Sequence, residues 1–264
     1  MSIRPKIFNP DISFEAKAGE VFRYQLEHNP VYGRFARVFG FTETDEPSLH
    51  GIPLLPVRAF KEGALLSGKK KASLLFRSSG TSGMTQSMHH VPDPGLYEES
   101  VWRGFDHFYG NNPVIGAYTP GYSDNPHSSL VYMLQCLIGR DRQGLSRFLK
   151  IGSPLDEKWL SEVRKSGKDL VLFGAAFGLA DLAEMNLAEL PGSSIVIETG
   201  GMKTHKREES DRGELHKRLA EGFRLPLRNV HSEYGMCECL SQAYAVVTGR
   251  FRSVPWKSVT NRDP

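Results

Sequence analysis

The sequence has few cysteines and no hydrophobic segment long enough to cross a membrane. Cys136, Cys237 and Cys239 are too few and too irregularly spaced for a disulfide framework or a four-ligand zinc site, which indicates a reducing, cytoplasmic compartment. The longest apolar run covers residues 170–180 and is well short of the ~18–20 residues that a membrane span needs. The N-terminus lacks an apolar signal core. We therefore expect neither secretion nor a membrane span.

The sequence also lacks an excess of charge of one sign. Its 33 basic and 30 acidic residues give a net charge of +3, which does not favour a nucleic-acid partner. We interpret the lysine run at residues 69–71 as a solvated loop. Repeats and low-complexity linkers are missing as well, and 264 residues suit one large domain. We predict a single domain over residues 1–264, with a helical N-terminal segment over residues 1–50.

The hydrophobic pattern predicts an α/β fold. Two N-terminal helices are expected on either side of Asn29-Pro30, followed by an extended, irregular segment over residues 51–61. Strands are then predicted at residues 73–77, 114–119, 170–173 and 194–198 and near Val230; helices are predicted at 96–108, 129–138, 156–165, 174–190 and 209–223. This alternation predicts a mainly parallel sheet flanked by helices on both faces, with ligands at the carboxyl ends of its strands.

The first predicted strand leads into a loop rich in serine and glycine. The loop residues that we expect to contact phosphate are Ser78, Ser79, Gly80, Thr81, Ser82 and Gly83. Glycines let the backbone approach a ligand closely, and hydroxyl and amide groups suit phosphate oxygens. The loop is not a Walker A motif, because Met84-Thr85 stand where that motif has Lys-Ser/Thr. Taken alone, the composition fits a plain surface loop equally well.

Two later loops also follow predicted strands. Residues 197–203 contain Gly200 and Gly201, which allow a flat ring to pass close to the backbone. Residues 233–238 provide an aromatic ring for stacking on adenine and carboxylates for Mg²⁺. The candidates in this third loop are Tyr234, Gly235, Met236, Cys237 and Glu238. The alternatives are a simple turn for the second loop and an ordinary core position for Tyr234.

Taken together, the three loops resemble those of adenylate-forming enzymes. Residues 78–83 resemble their Ser/Thr/Gly-rich phosphate loop, and residues 234–238 resemble their Tyr-Gly-x-Thr-Glu motif. More narrowly, five successive segments look like blocks of the acyl-protein synthetase (LuxE-like) family: IPLLPVRAFK, FRSSGTSGM, SSLVYM, ETGGMK and HSEYGMCECLSQAY. The resemblance extends over nearly the whole chain from about residue 30. It implies the N-terminal domain of an adenylate-forming enzyme.

The resemblance implies a role for each loop. Residues 78–83 would hold the β- and γ-phosphates of ATP, with Thr81 as a catalytic residue. Gly200, Gly201 and residues 234–237 would bind the nucleotide. Glu238 would be catalytic as the ligand of Mg²⁺. ATP and Mg²⁺ are therefore the expected cofactors.

The resemblance also implies a reaction. A carboxylic acid, expected to be a long-chain fatty acid, would be activated as acyl-adenylate and then transferred to a protein cysteine as a thioester. An acyl-accepting protein or a reductase would be the partner, and no nucleic acid is expected. One alternative is an aryl- or acyl-CoA ligase, which shares the phosphate and Tyr-Gly loops. Another is a nucleotide-binding domain without complete catalysis.

The sequence departs from the family pattern in two ways. Cys237 stands where the motif has threonine, and a thiol is a weaker hydrogen-bond donor than a hydroxyl, so we expect slower adenylation. The chain also ends before the positions at which the family has its ribose-binding aspartate, catalytic lysine and acyl-accepting cysteine. We therefore expect the domain to be incomplete at its C-terminus.

The remaining polar residues favour structural interpretations. His89 and His90 follow the phosphate loop, and a structural role is the better interpretation of each. Cys237 and Cys239 form a Cys-x-Cys pair that would make a partial metal site with His231, a weaker alternative. Phe173 and Phe177 are candidates for the acid pocket, although core packing explains them as well.

Overall fold

A seven-stranded sheet forms the centre of the protein. The computed structural model describes residues 4–78, 85–110, 112–121, 124–185, 188–191, 193–200, 212–246 and 249–259. The strands are β1 Leu74–Arg77, β2 Met88–Val91, β3 Val114–Tyr118, β4 Arg147–Phe148, β5 Leu170–Ala175, β6 Ile195–Thr199, β7 Val230–Tyr234, β8 Ala243–Ala245 and β9 Arg252–Ser253. The helices are α1 Arg4–Ile7, α2 Phe14–His28, α3 Pro30–Val38, α4 Ala59–Glu62, α5 Pro94–Tyr109, α6 Ser129–Ile138, α7 Glu157–Ser166, α8 Ala176–Met185 and α9 Arg212–Phe223.

The main sheet has the order β4-β3-β5-β6-β7-β8-β9. Strands β3 to β7 are parallel to one another, which confirms the prediction of a mainly parallel sheet. Strands β8 and β9 extend it in antiparallel orientation. Strand β1 does not join this sheet, because it pairs with β2 in a separate antiparallel hairpin. The sequence pattern indicated β1 but missed β2, β4, β8 and β9, which are short or follow irregular segments.

Hydrophobic side chains cover both faces of the main sheet, as predicted. In β5, Leu170 and Leu172 point into a cluster with α7, α8 and α9, where Trp159 is buried. Val171 and Phe173 point to the opposite face, into a cluster with α5 and α6. This period-two alternation between two apolar faces is the reason that β5 reads as a continuous apolar run. Phe173 therefore belongs to the core.

The N-terminal helices form a small unit of their own. Asn29 ends α2 and caps α3 by accepting hydrogen bonds from two amides of its first turn, so the predicted boundary is confirmed. Phe22 and Tyr32 are buried between these helices. Val38 and Phe39, which fit the helical apolar pattern, are 83% and 62% exposed, because the buried cluster ends before them.

Two further differences concern short segments. Part of the region predicted to be extended, Ala59–Glu62, is a single helical turn that follows Pro56. The helix predicted to extend to residue 190 ends at Met185. Within the described ranges, no helix is long and apolar enough to cross a bilayer.

Candidate functional site

The carboxyl end of β7 presents an exposed aromatic ring. Tyr234 is the last residue of the strand and is 49% exposed, whereas the four strand residues before it are buried. Its ring centroid lies 5.8 Å from that of Phe251, and the guanidinium of Arg212 lies 5.2 Å from the Phe251 ring. An exposed aromatic face at the end of a parallel strand suits a planar ligand such as a nucleobase.

The carboxyl end of β6 lies beside this turn. Thr199 pairs in register with Glu233, and the Thr199 hydroxyl donates a hydrogen bond to Glu233 Oε2. Gly200 follows with φ of +96°, a conformation that favours glycine. A Cβ atom on Gly235 would lie 2.6 Å from Glu233 Oε1, so the turn after β7 packs directly on this carboxyl group. The ends of β6 and β7 therefore share one buried side chain.

The β1–β2 hairpin contacts the third loop at the same edge. Residues 79–83 lie outside the described residues, but their flanks are defined. The Ser78 hydroxyl accepts a hydrogen bond from the Ser87 amide at 2.9 Å, and the Ser87 side chain donates to Glu238. In addition, His89 Nδ1 lies 2.8 Å from the Cys237 carbonyl oxygen and donates to it. The base of the phosphate loop is thus held against the third loop.

Glu238 has the properties of a magnesium ligand. Partial burial of its carboxyl opposes ionisation, but hydrogen bonds from Ser87, its own amide and Cys237, together with the charge of His89, outweigh burial and lower its pKa. An ionised carboxylate is a hard oxygen donor of the type that Mg²⁺ prefers. The part of the chain that the structure describes contains no cluster of three metal-binding side chains.

Cys237 is buried behind this carboxylate. Its thiol donates a hydrogen bond to Glu238 Oε2 at 3.2 Å. Burial raises the pKa of this thiol to about 12, with the Glu238 carboxylate adding to the effect, so the group is a neutral, inert thiol at physiological pH. His231 instead contacts Tyr109 and the Arg228 carbonyl. These positions give no support to a metal site formed by Cys237, Cys239 and His231.

Two buried carboxyl groups lie on opposite faces of the sheet near this edge. Glu198 in β6 faces α9, where Ser232, His216 and Arg212 surround it. Glu233 in β7 faces α5 and is 5% exposed. Burial raises the pKa of Glu233 to about 7, although the Thr199 hydrogen bond opposes the shift.

Two adjoining cavities separate the N-terminal helices from the rest of the molecule. The first, the N-terminal cavity, has a volume of about 450 Å³ and a mainly apolar lining that includes Phe8, Phe14, Phe22, Leu96 and Trp256. The second, the hairpin cavity, has a volume of about 720 Å³ and is lined by Lys69, Lys70, His89, His90 and apolar residues. Leu240, two residues after Glu238, lines both cavities. Both cavities therefore reach the segment that follows the third loop.

The structure therefore brings together the described members of the predicted site. Ser78, Gly200, Tyr234, Gly235 and Glu238 lie at or beside one edge of the sheet, with Met236 and Cys237 in the third loop. The remaining predicted residues, Ser79, Gly80, Thr81, Ser82, Gly83 and Gly201, lie outside the described residues.

Four residues that connect the loops, namely Ser87, His89, Thr199 and Glu233, were not predicted to make these connections. Thr199 and Glu233 lie within the second and third loops, His89 was interpreted as structural, and Ser87 lies a few residues after the first loop. Their partners lie in other strands, so the contacts themselves could not be inferred from the local sequence.

Comparison with known proteins found similarity only at the level of structure. No protein-family model matches the chain, and no curated protein matches it. A crystal structure of 2-hydroxyisobutyryl-CoA ligase, in an open conformation with 2-HIB-AMP and CoA, matches with a TM-score of 0.53 at 13% identity. The match covers 83% of this chain and 52% of the ligase, so the chain spans about half of that enzyme's length. At this identity the match shows a shared fold.

A second match is more limited. The crystal structure of coronafacic acid ligase from Pectobacterium brasiliense matches with a TM-score of 0.36 at 14% identity. It covers 57% of this chain and 28% of the ligase.

The raised pKa of Glu233 predicts how stability depends on pH. Because the folded state holds this proton up to about pH 7 and the unfolded state loses it near pH 4.5, the Glu233 contribution decreases as pH rises between these values. Relative to a Glu233→Gln variant, the wild type should lose on the order of 3 kcal/mol of unfolding free energy between about pH 5 and about pH 8. Urea unfolding of both proteins at each pH measures this difference. Parallel pH profiles would show that Glu233 titrates normally.

Proposed function

We propose that this chain binds ATP at the edge formed by the ends of β6 and β7 and takes part in activating a carboxylic acid as acyl-adenylate. The observation that supports the proposal best is the linkage of the loops. Ser87 joins the base of the phosphate loop to Glu238, while Glu233 joins the end of β6 to the Tyr234-Gly235 turn. An ionised carboxylate, an exposed aromatic ring and the base of a serine-rich loop at one edge match the parts of a magnesium nucleotide.

Each group has a role in this proposal. The exposed ring of Tyr234 offers a face for adenine, with Gly200 leaving room for the nucleotide beside it. Glu238 would hold Mg²⁺, which neutralises phosphate charge as pyrophosphate leaves. Residues 78–83, with Thr81 as a catalytic residue, would donate hydrogen bonds to the β- and γ-phosphates. The acid's carboxylate attacks the α-phosphorus, and the bond to pyrophosphate breaks.

We further propose that the acid has a long hydrocarbon chain. The apolar N-terminal cavity of about 450 Å³ supports this, because its size lies in the range of small-molecule sites. Leu240 connects the cavity to the third loop, so a carboxylate near Glu238 would have its chain directed toward the cavity. His89 lies at the same junction, on the wall of the hairpin cavity.

The acyl acceptor distinguishes two versions of the proposal. The acyl-protein synthetase resemblance favours a cysteine of an acyl-accepting protein, with a reductase as a further partner. The structural match to a ligase crystallised with CoA favours coenzyme A. To decide between them, the chain is incubated with the acid, MgATP and either the acyl-accepting protein or coenzyme A, and the thioester formed is measured. If neither thioester forms while adenylate does, the chain performs the first half-reaction alone.

Glu238→Gln tests the metal role. We expect acid-dependent ATP–pyrophosphate exchange to fall by about a hundredfold, because the amide is a much weaker ligand for Mg²⁺ than the carboxylate. The exchange assay should be run with a panel of fatty and aromatic acids, on this chain and on a version extended past residue 264. Glu184→Gln is the matched control, since this carboxylate on α8 is exposed and pairs with Arg218 on α9. If Glu238→Gln catalysed ATP–pyrophosphate exchange as fast as Glu184→Gln, the result would contradict the role of Glu238 as the Mg²⁺ ligand.

Cys237→Thr tests whether the unusual cysteine slows adenylation. A threonine hydroxyl is a stronger donor than the thiol and has Glu238 as a ready partner. We expect the exchange rate to rise about twofold to tenfold. An unchanged rate, with unchanged unfolding free energy, would show that this position does not limit turnover.

Ala18→Trp tests the N-terminal cavity as the acyl site. Ala18 lines this cavity, and an indole ring there would occupy space needed by a long chain. We expect kcat/KM to decrease at least about tenfold for a long-chain acid and to change little for a short one. The short acid is the internal control for folding. Equal loss for both acids would place the hydrocarbon chain elsewhere.

A further inference from the structure

Glu233 is a buried acid that the proposed chemistry does not use. The groups that interact with it electrostatically come from several elements: Tyr97 and Tyr109 on α5, Tyr244 on β8, Lys257 after β9, and Glu198 on the opposite face of β6. Burying a carboxyl group in such surroundings is costly unless its oxygens have partners. Hydrophobic side chains occupy the neighbouring strand positions on this face, such as Ile197 in β6. A polar residue here therefore requires a specific explanation.

The two carboxyl oxygens of Glu233 meet two different loops. Oε2 accepts the hydrogen bond of the Thr199 hydroxyl, on the last residue of β6 before Gly200. Oε1 lies under Gly235, where a Cβ atom would approach it to 2.6 Å. The Thr199 and Glu233 backbones are also register partners in the parallel pair. One side chain thus contacts the last residue of β6, directly before Gly200, and the turn that follows β7.

We propose that Glu233 is a positioning residue that couples the Gly200 turn to the Tyr234-Gly235 turn, so that the two turns hold the nucleotide as one unit. This inference rests on the proposed function for the identity of the ligand. The physical reason is pre-organisation: turns fixed before binding lose less conformational entropy when the ligand arrives. The hydrogen bond between the Thr199 and Glu233 side chains fixes the two turns better than backbone pairing alone, because the β6–β7 pairing ends at these two residues.

The pair Thr199 and Glu233 can be tested by a double-mutant cycle. Thr199→Val removes the donor with little change of shape, and Glu233→Leu removes the acceptor. Each single variant should weaken MgATP binding by about fivefold to tenfold, whereas the double variant should be no weaker than the worse single variant. Glu233→Gln keeps an acceptor and should stay within about twofold of wild type. Calorimetric titration measures these dissociation constants.

Hydrogen exchange provides a readout that does not require nucleotide. In Thr199→Val, amides of residues 234–236, on the other strand, should exchange about fivefold to tenfold faster. Amides of β3, residues 114–118, should be unchanged. If Thr199 only stabilised the fold, Thr199→Val would lower global stability, and the amides of residues 234–236 and 114–118 would all exchange faster.

The outcomes separate this inference from the proposed function. If the wild type does not bind MgATP, the proposed function fails, and amide hydrogen exchange alone tests whether Glu233 couples the two turns. Two results would overturn the inference. One is faster amide exchange in β6 alone, and the other is fold-changes in MgATP affinity that multiply in the double variant. If Glu233→Leu does not fold, the response of residues 234–236 to Thr199→Val still gives the answer. Glu233→Gln behaving like Glu233→Leu would also contradict the proposal, since only the latter lacks an acceptor.

Discussion

The parallel pairing of β6 with β7 is the constraint on which the candidate site depends. Because the two strands run in the same direction with Thr199 opposite Glu233, both of their following turns leave the sheet at one edge. The contact of the Thr199 hydroxyl with the Glu233 carboxyl lies on the α5 face of this pair. An antiparallel pair would have placed the two turns at opposite edges, and no shared ligand site could have formed.

Polar groups replace apolar ones where the strands end. Upstream in β6, Val196 and Ile197 pack into the two opposite hydrophobic clusters. The next residues, Glu198 and Thr199, keep the same alternation but carry polar side chains. On the α9 face, Ser232 and Arg212 contact Oε1 of Glu198 and offset part of the cost of its burial, while Oε2 has no hydrogen-bond partner among the described residues. This change from core to polar residues along one strand occurs at the end of the sheet where the candidate site lies.

The elements outside the main sheet supply the rest of the site. The β1–β2 hairpin reaches the third loop through two contacts, Ser87 with Glu238 and His89 with the Cys237 carbonyl. The N-terminal helices dock beyond it: Phe8 packs edge-on against Trp256 at 5.0 Å, and Arg4 pairs with Glu99. The two cavities lie between the N-terminal helices and these segments, and Leu240, two residues after Glu238, lines both.

The sequence by itself determined the order and type of the main elements. Apolar runs such as residues 170–173 and the capping residue Asn29 act locally, so the parallel sheet, its covering helices and the boundary between α2 and α3 were all predictable. The loops that carry Gly200 and Tyr234 were recognisable for the same reason, since glycine and aromatic residues after a strand are a local signal.

Tertiary structure alone decided which strands pair and which side chains meet. The separate β1–β2 hairpin, the antiparallel strands β8 and β9, and the exposure of Phe39 all depend on contacts with distant segments. The same holds for Glu233, whose partner Thr199 is 34 residues away in the chain. A local pattern specifies the residues that can form a site, but the distance between them is a property of the packed sheet.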